Sequence, residues 1–183
     1  MRSTRTNAAA DTRSRVGVLM HPTRIDLSAE ARSRLIPLLN RRLADAIDLH
    51  LQAKQAHWNV KGPGFIALHE LFDRIAGEID GHVDELAERV TALGGTAEGT
   101  LQVVADRSRL AAYPLTIADG RAHLEALAGA LATFGEATRV AIDEAAQAGD
   151  ADTSDLFTGI SRAIDKNLWL VEAHLQGEAA SGQ

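Results

Sequence analysis

Cysteine is absent from this 183-residue chain, which excludes disulfides and thiolate metal sites and leaves imidazole and carboxylate as the groups able to hold a metal ion. That ligand set suits iron, manganese or zinc. Aromatic residues amount to only 4% and prolines to four. With Ala and Leu abundant instead, the composition predicts an all-helical fold rather than a sheet. No apolar run reaches the roughly 18 residues that a membrane span requires. The N-terminus carries arginines but no apolar stretch of the length a signal core needs, so no secretory signal is read and the cytoplasm is the expected location. A chain of this length can bury a good core as one domain.

Positive charge is scarce overall, the formal net charge being −6, but the sign is unevenly spread. Residues 1–24 hold Arg2, Arg5, Arg13, Arg15 and Arg24 against Asp11 alone, a local +4, so the remainder stands at −10. An acidic body repels nucleic acid and attracts cations, whereas a basic arm reverses the first preference locally. Residues 1–27 are small, polar and aperiodic and are expected to form a flexible arm, with Arg2, Arg5, Arg13 and Arg15 as candidate DNA contacts. Residues 28–176 are expected to form the folded domain and 177–183 a short tail.

Apolar periodicity marks four long helices. The first is expected to start at Ser28, a suitable N-cap with Glu30 in the first turn, and to reach about Val60. Its stripe is Leu35, Leu39, Leu43, Ala46, Ile47, His50, Ala53 and His57, and Pro37 should kink it or mark its true start. Lys61-Gly62-Pro63-Gly64 then breaks the chain. The second helix, about Phe65 to Leu93, carries the row Leu68, Phe72, Ile75, Ile79, Val83, Leu86, Val90 and Leu93 and stops at Gly94 and Gly95. The next two dozen residues, through Gly120, hold one short helix near Leu101 to Asp106. A connection this long is unusual between packed helices. In a four-helix bundle it can cross the full length and make the helices on either side parallel. The third helix should run from about Arg121 to Ala148 with Leu124, Leu127, Leu131, Phe134 and Val140 inward. The fourth should begin near Asp152 as N-cap, with Asp155 in its first turn and Leu156, Ile160, Ile164, Leu168, Val171 and Leu175 inward.

Chemistry concentrates in the stretch from Gln55 to Glu88. Rotated off the apolar row of the second helix is another row: His69, Asp73, Gly77, Asp80, Asp84 and Glu88. His69 with Asp73, and Asp84 with Glu88, are i,i+4 pairs, each able to put two ligand atoms on one ion from adjacent turns. Within one chain the pairs cannot share an ion, because the eleven residues from Asp73 to Asp84 span roughly 16 Å at about 1.5 Å per residue. Two copies lying antiparallel across a two-fold axis remove the difficulty. Facing residues then have a constant index total, and His69 with Glu88 and Asp73 with Asp84 both give 157. The same register sets Gly77 near Asp80 and Gly81 of the mate. Glycine inside a helix costs about 1 kcal/mol relative to alanine, so two in one turn point to a close backbone approach. His57, inward near the end of the first helix, is carried by the short turn towards His69. Those five side chains are the candidate metal ligands. His50, His82, His123 and His174 are read as structural histidines. No Glu-x-x-His motif occurs, which argues against a di-iron site inside one bundle.

The stretches KQAHWN, LHELFD and HVDELAER, with TLQVV, YPL and DKNLWLVEAHL, resemble the Dps proteins, the DNA-binding mini-ferritins of starved cells. The likeness runs from about Ser28 to Leu175. It implies a ferritin-like four-helix bundle with a long crossover carrying a short helix, assembled as a hollow homododecamer with ferroxidase centres at its two-fold interfaces. By that likeness His57, His69 and Asp73 come from one chain and Asp84 and Glu88 from its mate. Fe(II) would be oxidised, with hydrogen peroxide favoured over dioxygen, and stored as ferric oxide; zinc or manganese would compete for the same ligands. Trp58 would serve as an electron donor beside His57. Asp150, Asp152 and Asp155 match the acidic segment that lines family pores at a three-fold axis, and DNA would be bound through the basic arm. A nucleoid-compacting protein with iron chemistry secondary is the alternative.

Overall fold

The computed structural model describes residues 20–176. It contains five helices: α1 (Ala29–Asn59), α2 (Phe65–Ala92), α3 (Leu101–Arg107), α4 (Gly120–Gln147) and α5 (Ala151–Gln176). Four are long and form the bundle, with α1 packed on α2, α4 on α5, and α1 on α4. Ser28 caps α1 by accepting the Ala31 N–H at 3.1 Å, and Asp119 caps α4 by accepting that of Ala122 at 3.0 Å. Pro37 does not mark the start of α1, which already begins at Ala29. Lacking an N–H, it leaves the Ser33 carbonyl without its intrahelical donor.

The core is filled by Leu35, Leu39, Leu43 and Leu49 of α1, Phe72, Ile75, Ile79 and Leu86 of α2, Leu127, Leu131 and Phe134 of α4, and Phe157, Ile160 and Ile164 of α5. Val140, expected inside, is instead 53% exposed. At 3.6 residues per turn the buried face of α4 moves on from Phe134 to Thr138, Ala141 and Ala145, all buried, and Val140 falls off it. The N-cap expected at Asp152 also shifts. Asp150 accepts the Thr153 N–H at 3.1 Å, and Asp152 lies within the first turn of α5.

The crossover from α2 to α4 runs along α1 in α1's own direction. Asn40 donates to the Thr96 carbonyl and accepts the Glu98 N–H, Asp45 accepts the Arg109 N–H, and Gln52 donates to the Ala111 carbonyl. Lys61 N–H reaches the Ala118 carbonyl at 2.8 Å. These contacts explain three buried polar side chains on α1, Asn40, Asp45 and Gln52, since backbone groups in an extended crossover need partners that no helix supplies. They also place the start of α4 beside the start of α2, so the two helices are parallel, as the length of the connection predicts. Of the arm expected over 1–27, residues 20–27 are docked: Met20 and Leu27 pack on the core and His21 N–H donates to Gly94 O at 2.7 Å. Gly94 adopts φ +87°, and an added Cβ there would lie 2.3 Å from the His21 carbonyl oxygen. Arg2, Arg5, Arg13 and Arg15 and the tail 177–183 lie outside the described residues.

Candidate metal centre

The α1–α2 hairpin is antiparallel, and its register brings His57 against His69 and Lys54 against Asp73. The two imidazoles stack, with centroids 3.7 Å apart and planes 22° from parallel. Each is aimed by the other's main chain: His57 Nδ1 lies 2.8 Å from the His69 carbonyl, and His69 Nδ1 lies 2.9 Å from the His57 carbonyl. A carbonyl only accepts, so both rings must carry their proton on Nδ1. Both Nε2 lone pairs are therefore left for a Lewis acid, the arrangement by which an outer partner fixes a metal-binding histidine. Phe65 closes over His69 with centroids 5.1 Å apart.

Asp73 Oδ1 stands 3.9 Å from His57 Nε2, beside the ring that stacks on His69. The same oxygen accepts a 2.6 Å bond from Lys54 Nζ. That ammonium, chiefly through the hydrogen bond, holds the Asp73 carboxyl below the usual carboxylate range. Lys54 also stands 5.8 Å from the Trp58 ring centroid, at the reach of a cation–π contact, and Trp58 itself is 63% exposed. Lys54 was not singled out from sequence. Its signal was its place three residues before His57, which puts both on one face of α1.

Asp84 and Glu88 are exposed, further along α2. Among the described residues no three His, Asp or Glu side chains are arranged within one chain to hold a metal ion. Gly77 and Gly81 lie between the two halves, and a Cβ added to either would meet nothing within 4 Å. The fold of the single chain thus supplies no reason for them.

The acidic candidates at the start of α5 divide. Asp150 is buried, with both oxygens 2.8 Å from the Arg89 guanidinium. Burial works against its charge, but bonds from Thr153 and Arg89 outweigh it and lower its pKa. It is a cap and ion-pair partner rather than a residue facing solvent, which corrects its place among pore candidates. Asp152 and Asp155 are exposed. Of the histidines read as structural, His50 Nδ1 meets the Ala76 carbonyl at 3.0 Å, His82 Nδ1 meets Glu85 at 2.9 Å while its buried Nε2 has no partner among the described residues, and His174 is exposed. His123 is buried against Tyr113.

A family model for the ferritin-like domain matches residues 36–179. The DNA protection during starvation protein of Agrobacterium fabrum is 49% identical over 156 residues, covering 85% of this chain and 96% of that protein. The chain belongs to the Dps family of ferritin-like proteins. Among solved structures, DpsA14 from Streptomyces coelicolor superposes with a TM-score of 0.83 at 38% identity, covering 87% of this chain and 94% of that one. The Dps of Vibrio cholerae O1, described as belonging to the broad superfamily of ferritin-like diiron-carboxylate proteins, gives 0.79 at 26% identity, covering 85% and 98%. The Dps assignment agrees with the all-helical bundle and its lengthwise crossover. Among the described residues no helix is long and apolar enough to cross a membrane.

Proposed function

We propose that this Dps-family chain is a ferroxidase and iron-storage protein, in which Fe(II) is oxidised at centres built from two chains and ferric oxide is kept inside a hollow homododecamer. The reading is carried by one observation: two stacked histidines with their Nδ1 protons locked on each other's main chain, the Nε2 of His57 standing 3.9 Å from the Asp73 carboxylate. His57, His69 and Asp73 of one chain and Asp84 and Glu88 of its two-fold mate are the ligands of this reading. The split is supported by their common index register and by the two glycines that the single chain leaves unexplained. Imidazole and carboxylate together hold Fe(II) while leaving positions open for an oxidant, and the carboxylates stabilise the Fe(III) product by charge.

Hydrogen peroxide is the oxidant of this reading, and its removal together with Fe(II) is the means of protecting DNA in the cytoplasm. Trp58, next to His57 in the chain and exposed on the protomer, is the electron donor of this reading. Zinc and manganese compete for the same donors. Asp152 and Asp155 remain the residues for drawing cations inward, since Asp150 is occupied by Arg89. The alternative, DNA compaction as the main role, draws on the local +4 of residues 1–24. The deciding experiment is anaerobic Fe(II) loading followed by a peroxide pulse, read by ferric absorbance on protein sized by light scattering. Wild type should oxidise Fe(II) far faster than His57→Ala with Asp84→Ala. Equal rates in the two would remove the ferroxidase reading.

A further inference from the structure

Half-buried Tyr113 and buried His123 form a pair that the metal centre does not use. Tyr113 lies in the crossover, and His123, 1% exposed, lies in the first turn of α4. The phenol oxygen is 2.6 Å from His123 Nδ1, and the rings are 21° from parallel with centroids 6.0 Å apart. Burial lowers the His123 pKa, opposed by Asp119 and by the backbone of Asn59. The His123 Nε2 has no hydrogen-bond partner among the described residues, and Nδ1, 2.6 Å from the phenol oxygen, is the nitrogen in reach of the phenol proton. Burial likewise raises the Tyr113 pKa far above the ordinary phenol value. The phenol therefore does not ionise by itself; it can lose an electron only if its proton moves to His123 in the same event.

The position of the pair is fixed. Asn59 is two residues beyond His57 on α1, about 3 Å of helical rise. The segment carrying Tyr113 is tied to that end of α1 by the Gln52 bond to Ala111 and the Lys61 bond to Ala118. Beside it, Lys54 holds Asp73, which opposes complete filling of the centre by cations. A centre holding one Fe(II) has one electron to give, whereas peroxide needs two.

We propose that Tyr113 is a reversible hole store for the metal centre, with His123 as its proton acceptor. The proposal rests on the ferroxidase reading. One Fe(II) gives one electron to peroxide, breaking its O–O bond to leave Fe(III), hydroxide and an oxidant of the hydroxyl-radical class. That oxidant takes an electron from Tyr113 and becomes hydroxide, while the phenol O–H bond breaks and an N–H bond forms at His123 Nδ1. The products are a neutral phenoxyl and an imidazolium. A second Fe(II) reaching the centre returns the electron, the proton goes back to the phenol, and the sum is two Fe(II) oxidised per peroxide with no radical released.

Tyr113 is the chain's only tyrosine, so a phenoxyl signal has one source. The test has two arms. In the first, protein loaded with about one Fe(II) per chain is pulsed with peroxide and frozen for electron paramagnetic resonance while Fe(II) oxidation is followed in parallel. A phenoxyl spectrum that narrows with ring-deuterated tyrosine, is lost in Tyr113→Phe and decays when more Fe(II) is added supports the store. Fe(II) oxidation at full stoichiometry without that signal overturns it. In the second arm, iron-free protein is oxidised by a photogenerated ruthenium(III) tris-bipyridine. A Tyr113-dependent phenoxyl that is lost in His123→Gln supports the pair, and its absence from wild type overturns the pair whatever the iron chemistry does. Should iron not be oxidised above the buffer rate, the ferroxidase reading fails, and with it the store. The second arm then still decides whether the pair exists.

Discussion

Lys54 and Asp73 set the electrostatics at which any cation arrives. The ammonium occupies the oxygen that the spacing of LHELFD offers as a ligand, so a divalent ion must displace it. Replacing Lys54 by Met should tighten zinc binding in isothermal titration and return the Asp73 pKa to the ordinary carboxylate range, seen by NMR titration. Unchanged zinc affinity would mean that the ammonium is no competitor. That His69 and Asp73 share a face was legible from their i,i+4 spacing, and the approach of His57 from the short turn between α1 and α2. Their tautomers and the presence of Lys54 were not. Both depend on how far α1 slides against α2, and leucine and alanine packed on both sides leave that offset unspecified until the helices meet.

Asp150 anchors one element to another: its carboxylate binds Arg89 of α2 and caps α5. Its folded pKa is depressed, so its contribution to stability is present above the ordinary carboxylate pKa and is lost as pH falls through the folded value. Asp150→Ala should cost about 3 kcal/mol by leaving Arg89 without its main buried partner, read as a lower thermal midpoint at equal protein concentration. The loss should shrink in acid. Helix boundaries were legible to within a residue or two, since caps and glycines punctuate the chain. The choice of Asp150 over Asp152 as cap was not, because both precede an apolar stripe and both come within reach of Arg89; the bonds from Thr153 to Asp150 and its burial separate them. Gly77 and Gly81 carry an element-scale prediction too. Within the chain alanine fits at both sites and would be favoured by about 1 kcal/mol each. Gly81→Leu should keep helical content by circular dichroism yet shift light scattering to smaller species, if α2 packs closely on its mate.

At the scale of the assembly, split centres make a quantitative forecast. Chains carrying His57→Ala and His69→Ala, and chains carrying Asp84→Ala and Glu88→Ala, should each be inactive alone. Unfolded together in equal amounts and reassembled at random, half the two-fold pairs are mixed and one centre in each is intact, so about a quarter of wild-type Fe(II) oxidation should return. No recovery in correctly sized oligomers would refute shared centres. Deleting residues 1–19 should abolish the low-salt retardation of DNA by the full chain and its steep salt dependence, while Fe(II) oxidation is retained. The proposed pairing of chains is suggested in the sequence only by the index register of α2; in the single bundle it is the glycines and the exposed Asp84 and Glu88 that ask for a second copy.

The mutual bonds between His57 and His69 leave neither ring independently adjustable. A small slip of one helix along the other would release both imidazoles together, so warming the protein should extinguish affinity for a divalent ion abruptly rather than by degrees. Core residues that stiffen this hairpin, far from any ligand, should thereby become determinants of how selectively the protein binds a divalent ion.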